Sequence, residues 1–369
     1  MSDAKRERRP AALSRTVGAV VGGLGAVLGG FLAVGCAVVG VSAHTFAIVL
    51  CFIGLSSVGL VELAWPRWGR RVALVALGGL VALVGARLLG GNDGTVATVA
   101  PEGGASRWVA RLVPEQDGVK LMAWLQVTLG APGVSEREYD GFLPAADREY
   151  ARMHGAIGRV PSPLPATVLG LESPDAFDLL TIPATAPPSS APRAAIFLHG
   201  AVGSWALLCW LVADALPPDT RLYCPATDGS GDWSSAAGVA TVRATLTRAA
   251  DDGARGVLVV GLSAGAASLD AVLDAFPEGT FTGAIYLFGG SSRPLTRAVP
   301  SLFVLGTADE RFPFAALTAV AESRRRDGAD ITIAPIDADH FGLVKAHAEV
   351  AAAVRGWARA HPEALGVVD

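Results

Sequence analysis

Apolar positions along this chain follow two different patterns. From Thr16 to Val61 no residue is charged, and the only interruption of note is Val41-Ser42-Ala43-His44. That run is longer than the roughly 20 residues of one membrane crossing and long enough for two. A basic, aromatic stretch, Trp65-Pro66-Arg67-Trp68-Gly69-Arg70-Arg71, precedes a third apolar run, Val72 to Leu89. The pattern predicts a region 16–90 of three transmembrane helices, at about 16–40, 45–63 and 72–89, behind a basic N-terminus 1–15. A buried core hairpin is the alternative for the first two runs, and their length argues against it.

From about Ala166 to Asp369 the pattern changes to short apolar runs alternating with helical periodicity. Strands are expected at Ala166–Leu171, Phe177–Ile182, Ala194–Leu198, Thr220–Cys224, Gly256–Val260, Thr282–Phe288, Ser301–Leu305 and Ile331–Ile336. Helices are expected at Trp205–Leu216, Ala236–Ala250, Ala266–Phe276, Phe314–Arg325 and Val344–His361. Apolar strands alternating with helices give an α/β fold, a mainly parallel sheet covered on both faces. Between the two regions, 91–165 reads as a linker with short helices. Asn92–Gly104 is linker, Ser106–Leu129 holds one or two helices broken near Pro114 and Gly118, and Pro144–Pro165 is loop-rich. Those helices either lie on the membrane surface or pack on the domain that follows, and packing is the expectation.

Composition agrees with a membrane region joined to one domain. With 369 residues, 51% hydrophobic, 17% charged and a mean hydropathy of +0.43, the chain is too apolar for an ordinary soluble enzyme. A net charge of -4 argues against a nucleic-acid partner. Three spans put the two ends of the region on opposite sides, and the two that lie between the basic N-terminus and the Arg67–Arg71 stretch set these on the same side. That is cytoplasmic by the positive-inside rule, with the α/β domain outside the cytoplasm. A cleaved signal sequence fits poorly, because a second apolar run follows directly and no small-residue cleavage site is clear. Ala33-Val34-Gly35-Cys36 is a poor lipobox, and Cys36 reads as a plain membrane cysteine. Gly18/Gly22 and Gly25/Gly29 form small faces for helix packing, either within the chain or between copies in a homo-oligomer.

Four cysteines occur, Cys36 and Cys51 in the apolar runs and Cys209 and Cys224 in the α/β domain. No Cys-x-x-Cys or His-rich spacing is present, so neither a metal nor a cofactor is expected. A helix and the next strand pack together in such folds. Cys209 and Cys224 therefore sit either as a disulfide, permitted outside the cytoplasm, or as two small buried apolar residues.

The candidate chemistry centres on Gly261-Leu262-Ser263-Ala264-Gly265, directly after an apolar strand and directly before a helical pattern. A serine on so tight a turn has its hydroxyl pushed clear of the backbone, and the helix N-terminus aims amides at the reacting centre. The other suggestive residues follow strand ends too: Phe197-Leu198-His199-Gly200, Asp228-Gly229-Ser230-Gly231-Asp232-Trp233-Ser234, Gly306-Thr307-Ala308-Asp309 and Asp339-His340-Phe341-Gly342.

In these motifs and their order the chain resembles the α/β-hydrolase family, well over Ala194 to His361 and loosely over the two strands before. The resemblance implies an α/β-hydrolase fold, with Ser263 as nucleophile, His340 as base and Asp309 as the acid that orients it. Each role has its own chemistry. A serine hydroxyl needs a base to take its proton as it attacks. The acid must hold the imidazole's tautomer. His199 is a rival base, although its place before a Gly-rich turn suits a brace. Glu310, Asp337 and Asp339 are rival acids, and Asp339 is handicapped by adjoining His340. For the oxyanion, the amide of Ala264 is one donor, and the resemblance supplies Ala201 as the second. His199, Trp205, Trp233 and Phe341 are candidates for a pocket, though each could equally be core.

The chain lacks the His-Gly-Gly-Gly of the hormone-sensitive-lipase group and the cysteine nucleophile of dienelactone hydrolases. Gly289–Pro300 is too short for a helical cap, so the site should be open or covered only by the connector. These readings converge on a membrane-anchored serine hydrolase acting on carboxylic esters through an acyl-enzyme, its partners being the membrane and a small-molecule or lipid ester. An acyltransferase or a peptidase on the same triad, or a non-catalytic binding module, would leave the same motifs.

Overall fold

The structure is a computed structural model and describes residues 8–90, 97–99, 113–130, 134–186, 193–293 and 299–366. Contacts divide the chain into two compact units, Met1–Gly91 with Leu112–Ser135, and Asn92–Arg111 with Glu136–Asp369.

The first unit is helical: α1 (Arg8–Val39), α2 (Ala43–Ser56), α3 (Val58–Ala64), α4 (Pro66–Gly90) and α5 (Glu115–Leu129). Two of these contain segments long and apolar enough to cross a membrane, Val17–Val39 and Arg67–Arg87. The middle span of the three expected is instead a pair, α2 and α3, bent by 46°. At the bend, the Ile53 carbonyl accepts both the Ser57 N–H at 2.9 Å and the Ser57 hydroxyl at 2.6 Å, a side-chain back-bond of the kind that often bends helices. The basic stretch Trp65–Arg71 is mostly helix. Pro66 opens α4, where its missing N–H is no loss.

The α1 glycines pack within the chain. A Cβ on Gly25 would lie 2.6 Å from Ser56 Cβ, and one on Gly29 2.4 Å from Ile53 Cγ1. Helix α5 runs unbroken through Gly118, which costs a helix only about 1 kcal/mol. It belongs to this helical unit and not, as expected, to the α/β domain. The Trp124 ring lies 4.9 Å from that of Phe31. Asp117 accepts from Ser42 N–H at 3.0 Å, from the Ser42 hydroxyl at 2.5 Å and from the Thr45 hydroxyl at 2.5 Å.

The second unit is built on an eight-stranded sheet: β1 (Ala97–Val99), β2 (Leu179–Ile182), β3 (Arg193–Leu198), β4 (Thr220–Pro225), β5 (Val257–Leu262), β6 (Phe281–Leu287), β7 (Ser301–Gly306) and β8 (Ile331–Ile336). The spatial order is β1-β2-β4-β3-β5-β6-β7-β8. β1 and β2 pair antiparallel at one edge, and β4 onward is parallel. Its helices are α6 (Glu136–Ile157), α7 (Leu164–Val168), α8 (Ala206–Ala215), α9 (Ala236–Asp251), α10 (Ala264–Ala275), α11 (Phe314–Arg326), α12 (Gly342–Lys345) and α13 (His347–Ala360). Val242 of α9, Leu269 and Val272 of α10 and Leu317 of α11 share one buried cluster with Ile196, Val259, Ala284 and Phe303 of the sheet. α8 and α13 pack on each other and on the sheet outside that cluster. The arrangement is α/β-hydrolase-like, a mainly parallel sheet between helical layers.

Three local expectations differ from what is seen. Ala166–Leu171, expected as a strand, holds the helical turn α7 and a following turn, because the prolines at 163 and 165 pre-set a helical φ. Pro144–Pro165, expected as loop, is helix α6 as far as Ile157, with Pro144 inside it. Phe142, Ala146, Tyr150 and Met153 are buried at helical spacing, and that apolar stripe outweighs the proline. The final helix is split at Ala346 into α12 and α13. Cys209 of α8 and Cys224 of β4 form a disulfide, with Cα atoms 6.2 Å apart, whereas Cys36 and Cys51 are free thiols.

Candidate active site

Ser263 stands between β5 and α10 with φ +54°, a region costly to any residue with a Cβ. The flanking glycines make the turn possible. A Cβ on Gly261 would lie 2.7 Å from the Gly265 carbonyl oxygen, and one on Gly265 2.1 Å from that of Leu198. Strand and helix therefore meet backbone to backbone, and the serine projects from the sheet's carboxyl edge. The turn is pinned by Ser263 N–H donating to Leu287 O at 3.0 Å.

Two more strand ends bring the partners. After β8, His340 sets Nε2 2.9 Å from Ser263 Oγ. After β7, Asp309 sets Oδ2 2.8 Å from His340 Nδ1. The carboxylate's other oxygen, Oδ1, accepts the backbone N–H of Arg311 at 2.9 Å and of Phe312 at 3.0 Å. Asp309 is buried and His340 nearly so, and the Phe312 ring stacks on the imidazole at 5.7 Å between centroids. The rival acids are elsewhere: Asp339 Oδ2 pairs with Lys345 Nζ at 2.5 Å, and Asp337 faces Thr307. With Asp309 bonded to Nδ1, the imidazole keeps Nε2 for the serine proton.

Gly200 lies against the serine, for a Cβ there would be 3.0 Å from Ser263 Cβ. Ala201 follows it. The Val202 amide is used by the fold, donating to Gly229 O at 2.8 Å. The Ala264 amide opens α10 and so has no carbonyl four residues back in the helix to bind.

His199 is a brace and not a base. It is fully buried, its Nε2 accepts Thr227 N–H at 3.1 Å, and its Nδ1 must then donate to Gly200 O at 2.7 Å. Burial holds the imidazole's pKa down to about 4. Trp233 is equally buried and donates from its indole to His199 O at 2.9 Å, with the two rings edge to face. Neither lines a pocket, which corrects that expectation: both support the Gly200–Ala201 loop from behind. Trp205 and Phe341 remain near the site. Between them stands Phe142 of α6, its ring 6.3 Å from that of Trp205 and 4.9 Å from that of Phe341. Phe142, Arg311 and Phe312 were not singled out from the sequence. The helical spacing of Phe142 with Ala146 and Tyr150 was the available signal, but the proline beside it hid the helix.

Among the described residues no cluster of three or more His, Cys, Asp or Glu is arranged to hold a metal ion.

No family model and no curated protein sequence matches this chain. Solved structures do. One is esterase PE8, at 20% identity over 46% of this chain and 94% of that one, with a TM-score of 0.36. Another is Est1E from Butyrivibrio proteoclasticus with bound ferulic acid, at 14% identity over 51% of this chain and 96% of that one, with a TM-score of 0.41. A third is a puromycin-hydrolysing peptidase of Mycobacterium tuberculosis, at 14% identity over 52% of this chain and 38% of that one, with a TM-score of 0.42. Likeness at this level carries no argument about reaction or substrate.

Proposed function

We propose that this chain is a membrane-anchored serine hydrolase that cleaves carboxylic esters. One observation carries the reading: Ser263, His340 and Asp309 form a continuous hydrogen-bonded chain at 2.9 and 2.8 Å. As the serine oxygen attacks the ester carbonyl, His340 takes its proton, and Asp309 stabilises the imidazolium that results. The oxyanion of the tetrahedral intermediate draws on the backbone amides of Ala264 and Ala201. His340 then returns the proton to the leaving alcohol, and a water molecule clears the acyl-enzyme by the same steps in reverse order.

The apolar segments Val17–Val39 and Arg67–Arg87 are taken as anchors, with the bent pair α2–α3 as a third crossing. Basic residues at Lys5, Arg6, Arg8 and Arg9, and again at Arg67, Arg70 and Arg71, favour a cytoplasmic side for both stretches. The catalytic unit is then extracytoplasmic, a compartment in which the Cys209–Cys224 disulfide is stable.

The test is labelling of the detergent-purified chain with a fluorophosphonate probe, followed by peptide mapping. A label on Ser263, abolished in Ser263→Ala, supports the reading. A folded, monodisperse sample that takes no label overturns it. Product analysis with ester and amide substrates then separates esterase from peptidase.

A further inference from the structure

The connector helix α6 is bound to both loops that carry the catalytic acid and base. Near its start, Glu138 pairs with Arg311 at 2.7 Å, two residues from Asp309. Arg311 also lies over the Phe341 ring at 4.9 Å, beside His340. One turn on, Gly141 admits Lys345, whose Cε would be 2.9 Å from a Cβ at that position. Phe142 follows, buried between Trp205 and Phe341. Those separations are contact distances for aromatic rings, so no alkyl chain passes between them.

Two further features bear on this wall. Pro144 follows Phe142 by two residues and has no N–H to give the helix ladder. It divides α6 into a leading segment that touches the site loops and a trailing one anchored by buried Ala145, Ala146, Tyr150 and Met153. The Trp205 indole N–H is enclosed and has no acceptor among the described residues.

Resting on the serine-hydrolase reading, we propose that Phe142 is a specificity-determining residue. It is carried on a segment that swings at Pro144 and is latched by Glu138 to Arg311. With the latch closed, the continuous wall of Trp205, Phe142 and Phe341 stands close to His340 and bars the acyl chain from passing beyond it. The enzyme therefore prefers esters of short or flat apolar acids. An oxygen-bearing group that displaces Phe142 offers the Trp205 indole its missing acceptor.

The experiment is steady-state kinetics of the full chain in detergent on p-nitrophenyl esters from acetate to decanoate, for wild type, Phe142→Ala and Glu138→Gln. The proposal expects the decanoate-to-acetate ratio of kcat/KM to rise at least about ten-fold in Phe142→Ala, the scale on which a hydrophobic pocket discriminates chain length. A smaller rise, carried by KM, is expected in Glu138→Gln. Ratios unchanged in a Phe142→Ala protein that melts cooperatively and still labels at Ser263 overturn it. Should Phe142→Ala fail to fold, Glu138→Gln decides alone, since that pair is partly solvent-exposed and a merely structural loss would leave the ratio where it was. If the wild type takes no fluorophosphonate and turns over no ester, the hydrolase reading fails and this one falls with it. Labelling without a chain-length effect rejects this proposal only.

Discussion

Asp309 reaches His340 across 31 residues of sequence at 2.8 Å, while Asp339, the neighbour of His340, turns to Lys345 at 2.5 Å. The fold thus chooses between two carboxylates that sequence proximity ranks the other way. Asp309→Asn should lower ester turnover by roughly 10³–10⁴-fold, and Ser263→Ala or His340→Ala by more. Asp339→Asn should cost only a few-fold. Steady-state rates of the four purified variants check the order, and a large loss in Asp339→Asn with Asp309→Asn near wild type would reverse the assignment.

His199 predicts an acid weakness. In the folded chain its imidazole stays neutral down to a pKa of about 4, whereas the unfolded chain takes up a proton near the ordinary value of 6.5. Between those values the unfolded state binds the extra proton. Stability is therefore full above pH 6.5 and is lost as the pH falls towards 4, by at most about 3 kcal/mol. Urea midpoints at pH 7, 6 and 5, read by near-ultraviolet circular dichroism, should fall in wild type. They should fall less steeply in His199→Gln, which starts lower because Thr227 N–H and Gly200 O lose well-placed partners.

The disulfide closes a loop of 15 residues between α8 and β4. By the chain-entropy model that is worth about 3 kcal/mol. The Cys209→Ala, Cys224→Ala double variant should unfold at correspondingly lower urea, and reductant should lower the wild-type midpoint without moving that of the variant. A thiol count on protein from its native compartment should find only Cys36 and Cys51.

Asp270 on α10 takes Arg324 Nη2 at 2.5 Å and the Tyr286 hydroxyl at 2.6 Å, all nearly removed from water. Arg324 continues to Ser291 O at 2.9 Å and Arg293 O at 2.7 Å, tying down the segment after β6. Arg324→Met alone strands a buried carboxylate and should cost about 3–5 kcal/mol. Arg324→Met with Asp270→Leu should recover much of that loss, a comparison made by thermal melts of the single and double variants.

The sheet and the meeting of Ser263, His340 and Asp309 were legible in the sequence because each of the three follows a short apolar run, and because glycines flank Ser263 where a Cβ would strike backbone. The Cys209–Cys224 pairing was half legible, since spacing allowed contact without deciding it. Helix α6 was not read, because Pro144 argued locally for a loop while burial of Phe142, Tyr150 and Met153 is a tertiary matter. Nor was the fate of His199 and Trp233. An aromatic or imidazole ring after a strand looks the same in sequence whether it faces a substrate or the back of a loop. Only the Thr227 N–H and the His199 carbonyl reveal which it is.

The grip of Asp117 on Ser42 and Thr45 also sets an order of events during synthesis. Ser42 and Asp117 are 75 residues apart. At the usual 5–20 residues per second, roughly 4–15 s separates the emergence of one from the other. Through that interval the turn between α1 and α2 lacks this acceptor, and the Ser42 and Thr45 groups must find others. A ribosome pausing shortly before Asp117 would lengthen the exposure of the unfinished bundle to quality-control proteases.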